Sequence, residues 1–249
     1  MPAVWFEDED FWRELYPYMF PPERLAAASE EVAQILAITA CSGDAVLDLC
    51  CGPGRHSVAF ALKGYAVTGV DRTPFLLDKA RQRAMENHAA IEWVQEDMRC
   101  FVRPAAFDLA CSLFTSFGYF ETEEDDLRVL RNVRESLKAG GIFVMELLGK
   151  ERLARVWEHV RSSQFPDGTR LIQQAQVRHD WSRIHNEWTV IREGRARSFH
   201  FEHTVYSGRE LKDRLLLCGF HDVRLFGNMQ GAPYGLDAAR LVAVARKAP

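Results

Sequence analysis

Apolar residues along this chain keep two different rhythms. From about residue 24 to residue 148, short β-rich runs alternate with stretches whose apolar positions recur at helical spacing. The runs are residues 45–49, 66–70, 91–94, 107–113 and 142–147. They are nearly continuous in apolar residues, as strands covered by helices on both faces of a parallel sheet are. Between them, Val32, Ile35, Leu36 and Thr39 share one helix face. Leu76, Leu77, Ala80 and Ala84 share a second, and Leu127, Leu130, Val133 and Leu137 a third. Thr73-Pro74 reads as an N-cap with proline at the first helical position. Thr122 with Asp125 resembles a capping box, and Gly140-Gly141 is expected to stop the third helix.

After residue 148 the rhythm changes to a period of two. Residues 169–177, 183–191 and 197–206 alternate, with turns at 180–182 and 193–195. They are expected to form three antiparallel strands. Ser207 and Glu210 then make a capping box, and the helix they open closes at Gly219. Two strands near 221–226 and 240–245 end the chain. The expected fold class is therefore α/β. Five βα units come first, then a small antiparallel insertion, and a closing hairpin makes the last strand of the main sheet antiparallel. The expected division is an aromatic segment over 1–23, a ligand-binding core over 24–148, a β insertion over 149–206, and a completing unit over 207–249.

Composition narrows the function. With 249 residues, one α/β domain carrying a modest insertion is expected. A net charge of −4 argues against a dedicated nucleic-acid partner, since such binders need a basic surplus. No apolar run approaches the ~20 residues that span a bilayer. The acidic start, with Glu7, Asp8, Glu9 and Asp10, is unlike a secretory signal, so a cytoplasmic location is expected. None of the six cysteines forms a CxxC pair, and adjacent Cys50 and Cys51 read as reduced thiols.

The chemistry gathers at strand ends. Asp48-Leu49-Cys50-Cys51-Gly52-Pro53-Gly54 runs from the first strand through a glycine turn into a helix. Such a turn lets a ligand approach the backbone at the carboxyl edge of the sheet. A dinucleotide fingerprint would place a third glycine where Ser57 stands, and Asp48 would repel a diphosphate. Asp71 ends the second strand, 23 residues after Asp48, where a carboxylate can accept both hydroxyls of a ribose. Asp97-Met98 follows the third strand, where a carboxylate can accept from an adenine amino group and the next N–H can meet the ring.

These residues together resemble the class I S-adenosylmethionine-dependent methyltransferases. Asp48-x-Cys50-x-Gly52-x-Gly54 matches the family's acidic-Gly-x-Gly-x-Gly motif, with Cys50 at the first glycine. Asp71 matches its ribose acid and Asp97 its adenine-side acid. The resemblance implies a seven-stranded sheet in the order 3-2-1-4-5-7-6, with strand seven reversed. It also implies S-adenosyl-L-methionine as donor and S-adenosyl-L-homocysteine as product. The implied donor-binding set is Asp48, Cys50, Gly52, Gly54, Asp71, Arg72, Asp97, Met98 and Leu113. Cys50 suits the glycine position most easily if its φ stays negative.

The acceptor side is less specific. The (D/N)PPY motif is absent, and the aromatic stretch around Phe114, Phe117, Tyr119 and Phe120 is closer to enzymes acting on the N or O of a small molecule. Tyr119 and His203 are the candidate catalytic residues. His200 and His203, three apart on a strand, face opposite ways and make a poor metal pair. His56 is either structural or close to the donor's carboxylate. The N-terminal aromatics, Trp5 to Phe20, are either a lid over the site or packing. The insertion is expected to shape the acceptor pocket or to meet a second copy in a homodimer. Two other readings remain: a non-catalytic S-adenosylmethionine-binding protein and an NAD-dependent oxidoreductase.

Overall fold

The computed structural model describes residues 5–249, so residues 1–4 of the expected 1–23 segment lie outside the described residues. After a 3-10 turn at Trp5–Glu7 come helices α1 (Glu9–Met19), α2 (Pro22–Ala26) and α3 (Ala28–Thr39). Alternation follows with β1 (Ala45–Leu49), α4 (Arg55–Leu62), β2 (Ala66–Asp71), α5 (Pro74–Glu86) and β3 (Ile91–Gln95). Next are β4 (Phe107–Ser112), α6 (Glu123–Ser136), β5 (Leu137–Leu147) and α7 (Lys150–Arg155). The insertion holds β6 (Val160–Gln164), β7 (Arg170–Arg178), β8 (Arg183–Arg192) and β9 (Arg195–Thr204). The chain closes with α8 (Gly208–Leu217), β10 (Phe220–Phe226) and β11 (Leu241–Lys247).

The main sheet has the order β10-β11-β5-β4-β1-β2-β3, and β11 is antiparallel to both its neighbours. This is the expected 3-2-1-4-5-7-6 order with the last strand reversed. Side-chain alternation builds its two cores. Val46, Val242 and Val244 point to one face, under α3 and α4, with Val32, Ile35 and Phe60. Leu47, Leu49, Ala243 and Ala245 point to the other, under α6 and α8, with Leu130, Val133, Leu211 and Leu215. Apolar burial at roughly 25 cal/mol per Å² is what holds such layers together.

Three local expectations need correction. Helix α6 ends at Ser136, and Gly140-Gly141 lies inside β5, so Leu137 is the cap of the helix and no longer part of its stripe. The insertion has four strands, not three. The missed strand, β6, is exposed along its whole length at the sheet edge, so it shows no alternation. Thr73 does occupy the N-cap of α5, but its side chain makes no capping bond; the Asp71 carboxylate accepts from the Thr73 N–H instead. The Ser207–Glu210 capping box is complete, and Thr122 caps α6 through the Asp125 N–H.

A third core lies between α1 and the insertion sheet. Phe11 and Leu15 of α1 pack against Leu171, Val190, Phe199 and Phe201. The aromatic N-terminus is thus fixed to the insertion. Polar contacts fix the insertion to the main domain: Tyr206, just past β9, donates to Asp126 of α6 at 2.5 Å, Arg183 donates to the Phe120 carbonyl at 3.1 Å, and the Thr204 N–H donates to the Gly118 carbonyl at 2.7 Å. Among the described residues, no helix is long and apolar enough to cross a membrane.

Burial raises the Asp126 carboxyl; the Tyr206 hydrogen bond and the Arg183 charge oppose this, leaving it at about 6. The unfolded chain therefore ionises first, and the aspartate costs stability progressively as pH rises from about 4 to about 6. The melting temperature of Asp126→Asn relative to wild type is expected to rise by several degrees between pH 4 and pH 8. A difference that stays constant across that range would show that Asp126 does not titrate there.

Candidate active site

The glycine turn after β1 is shaped by one carboxylate. Asp71, at the end of β2, is buried; it accepts from the Gly52 N–H at 2.9 Å and from the Thr73 N–H at 2.9 Å. It thereby ties the turn after β1 to the start of α5. Burial raises its carboxyl and these N–H bonds oppose the rise. Asp48, one strand over, is likewise buried and accepts from the Ser57 hydroxyl at 2.5 Å.

The motif's small residues do different work. Gly52 has φ +55, and a side-chain carbon there would meet only the Phe20 ring edge at 3.9 Å, so its face is open. Gly54 has φ +72, but a carbon there would lie 2.7 Å from Trp93 and 2.9 Å from Ala80. Gly54 is therefore a packing glycine that lets α4 sit close to α5 and β3, and it does not line the cavity. Cys50 has φ +59, so the negative φ expected for it is not what the turn imposes. A non-glycine residue rarely adopts this region. Its sulfur rests 3.5 Å from the Met98 sulfur, and burial with nearby carboxylates pushes the thiol up, away from thiolate chemistry.

Above this turn lies a cleft whose empty space, counted with the open solvent at its mouth, is about 1050 Å³. Asp48, Cys50, Gly52, Asp71, Arg72, Asp97, Met98 and Leu113 line it, as does Tyr119. Every carboxylate on its wall comes from the ends of β1, β2 and β3: Asp48, Asp71, Glu96 and Asp97. The far wall is aromatic. Trp5, Phe6 and Trp12 come from the N-terminal segment, and Phe114, Tyr119 and Phe120 from the loop after β4. Arg72 closes one rim by pairing with Asp97 at 3.0 Å and Glu7 at 2.5 Å, with Phe6 beneath its guanidinium. Burial alone would raise the Asp97 carboxyl, but hydrogen bonds from Arg99 and the charges of Arg99 and Arg72 hold it below its usual range.

His203 does not reach the cleft. Its ring lies 5.3 Å from that of Tyr119 and its Nδ1 is 3.2 Å from the Asn186 amide. Burial and the Arg183 charge lower it to about 4, so it is neutral at ordinary pH. No residue of the insertion lines the cleft. The insertion backs the aromatic wall instead: the Phe201 ring lies tilted against Trp5 at 4.9 Å. Burial lifts the Tyr119 phenol above its ordinary value. Sequence reasoning missed Arg55 on the cleft wall and its partner Glu31, which also binds His56 at 2.6 Å. Burial acts to raise the Glu31 carboxyl, but the His56 hydrogen bond and Arg55 charge bring it down to about 2.

Residues 46–141, which run from β1 through β4 into the first half of β5 and include most of the cleft lining, match the family model described as a methyltransferase domain. YqeM of Bacillus subtilis carries a methyltransferase name without a stated acceptor; it is 26% identical over 81% of this chain and 83% of its own. The dTDP-3-amino-3,4,6-trideoxy-alpha-D-glucopyranose N,N-dimethyltransferase of Streptomyces venezuelae is 26% identical over 79% of this chain and 77% of its own. Among solved structures, an S-adenosylmethionine-dependent methyltransferase from Clostridium acetobutylicum superposes with a TM-score of 0.79 at 15% identity, covering 97% of this chain and 99% of that one. CalS10, an amino pentose methyltransferase from Micromonospora echinaspora, superposes at 0.70 and 20%, covering 95% and 96%. At such identities the structures speak to the fold. The fold is that of these methyltransferase structures, and residues 46–141 carry a methyltransferase domain.

The left-handed turn at position 50 yields a prediction. Cys50→Gly removes a strain of about 1–2 kcal/mol and adds about 0.5–1 kcal/mol of unfolded-state freedom, so its stability should stay close to wild type. Cys50→Val puts a β-branched residue at positive φ and should lower the melting temperature by several degrees. A valine variant as stable as wild type would show that the turn does not enforce this conformation.

Proposed function

We propose that the chain is a class I S-adenosylmethionine-dependent methyltransferase that transfers the donor's methyl group to a nitrogen or oxygen of a small-molecule acceptor held against the aromatic wall of the cleft. The observation that carries this reading is the division of the cleft: buried carboxylates and an open glycine turn on one side, aromatic rings and no carboxylate on the other. The amino-sugar acceptors named for two of the proteins compared above are compatible with it.

The donor side fits S-adenosylmethionine. Gly52 leaves room at the turn, Asp71 offers the free lone pairs of its two oxygens to a ribose, and Asp97 with the Met98 N–H stands where the base would lie. Asp48 and Asp71 set negative charge near a cationic sulfonium, with no phosphate to repel. When bound, the donor supplies a methyl carbon already activated for in-line displacement. This chain's residues align the acceptor and exclude water, and alignment alone is worth roughly 7–11 kcal/mol. Trp5, Phe6 and Trp12 cover the cleft as a lid, and the insertion, residues 149–206, holds that lid from behind. Tyr119, kept neutral by burial, orients the acceptor through its hydroxyl and is not the base. His203 supports Tyr119 from outside the cleft. A neutral amine acceptor needs no base, which suits this wall.

Two variants test the roles. Asp71→Ala should weaken S-adenosylmethionine binding ten- to a hundredfold, since a hydrogen bond to a charged acceptor contributes about 1.5–3 kcal/mol. It should also lower the melting temperature, because two N–H groups lose their acceptor. Calorimetry that finds the donor affinity unchanged removes Asp71 from the ribose site. Tyr119→Phe should lower kcat tenfold or more, equivalent to ~1.4 kcal/mol per factor of ten; unaltered turnover makes Tyr119 packing only. The function itself is tested by incubating the enzyme with methyl-deuterated donor and a panel of small amines, alcohols and phenols. Mass spectrometry should find the label on one acceptor class. Label on none of them, with donor binding intact, would overturn the small-molecule reading.

A further inference from the structure

Two consecutive residues on the cleft wall, Phe114 and Thr115, have φ of 60° and 58°. Neither is glycine; one is bulky and the other β-branched, and such residues adopt this region only when their surroundings force it. The force comes from two distant residues. Glu146, near the end of β5, accepts from the Phe114 N–H through its Oε2 at 2.8 Å, and its backbone carbonyl accepts from the Thr115 N–H at 3.0 Å. Arg240, just before β11, donates through Nε to the other oxygen of Glu146 and through Nη2 to the Thr115 hydroxyl at 3.2 Å. Both N–H groups of the turn and the Thr115 hydroxyl are therefore engaged. Neither Glu146 nor Arg240 lines the cleft.

We propose that the Glu146–Arg240 ion pair is a positioning device that holds the loop after β4 in its left-handed form and so sets the wall that meets the acceptor. The proposal rests on the acceptor side being as described above. The loop continues through Gly118, whose missing side chain lets it lie against the Thr204 carbonyl, to Tyr119. An error of conformation at 114–115 is thus carried to the Tyr119 ring. Glu146 and Arg240 act through the loop and touch no reacting group.

The test uses the full chain loaded with S-adenosylhomocysteine, with Glu146→Gln as a near-isosteric variant and Arg240→Lys as a milder one. Amide hydrogen exchange across residues 113–120 should quicken tenfold or more in both. Affinity for S-adenosylhomocysteine should stay within threefold, while kcat for an acceptor found in the panel falls at least tenfold. The double variant should be no worse than the poorer single one, because both break the same clamp. Thr115→Asn, which tolerates left-handed φ, should recover at least threefold of kcat in the Glu146→Gln background. Unchanged exchange over 113–120, or product affinity falling as much as kcat, would overturn the proposal. The exchange result stands even where no acceptor is turned over, which separates failure of the clamp from failure of the proposed function.

Discussion

The Asp71 carboxylate bonded to the N–H groups of Gly52 and Thr73 is the contact on which the site depends. It draws the turn after β1 and the start of α5 together over the carboxyl edge of the sheet. Parallel strand order puts those two loops side by side, and crossover helices keep them there. The carboxylate then has a double task. It supports the backbone, and its remaining lone pairs face the cleft. A buried acid with no cation beside it is costly, and here the N–H dipoles compensate. The result is a turn whose shape is set by the chain's own contacts.

The other side of the cleft is built by different physics. It has aromatic rings from three separate parts of the chain, packed edge to face and tilted at centroid distances near 5 Å. Such contacts are weaker individually than the carboxylate bonds, but they bury large areas and exclude water. The insertion backs this layer and does not line the cleft itself.

Much of this was legible in the sequence. Alternating runs gave the main sheet and its reversed last strand, because buried strands leave a pattern that survives without knowing their partners. Asp48, Gly52, Asp71 and Asp97 were legible because each sits at a fixed offset from a strand end. Strand β6 was not, since an edge strand exposed throughout has no apolar period. The left-handed Cys50 was hidden because nothing in its neighbours distinguishes φ signs. Gly54 lies off the cleft because Trp93, 39 residues further along the chain, fills the space before it. His203 was placed on the correct strand, but the Tyr119 ring and Asn186 that hold it away from the cleft belong to other elements. Glu31 with Arg55, and Glu146 with Arg240, are pairs formed by folding across long separations, and no local spacing marks them.

A crystal structure of the chain with S-adenosylhomocysteine tests the central claim most directly. The expected result is the nucleoside lying in the cleft, its ribose hydroxyls on Asp71, its base beside Asp97 and Met98, and its sulfur turned toward the aromatic wall at Tyr119. A nucleoside bound elsewhere, or one seated with Asp71 still facing only Gly52 and Thr73, would contradict it.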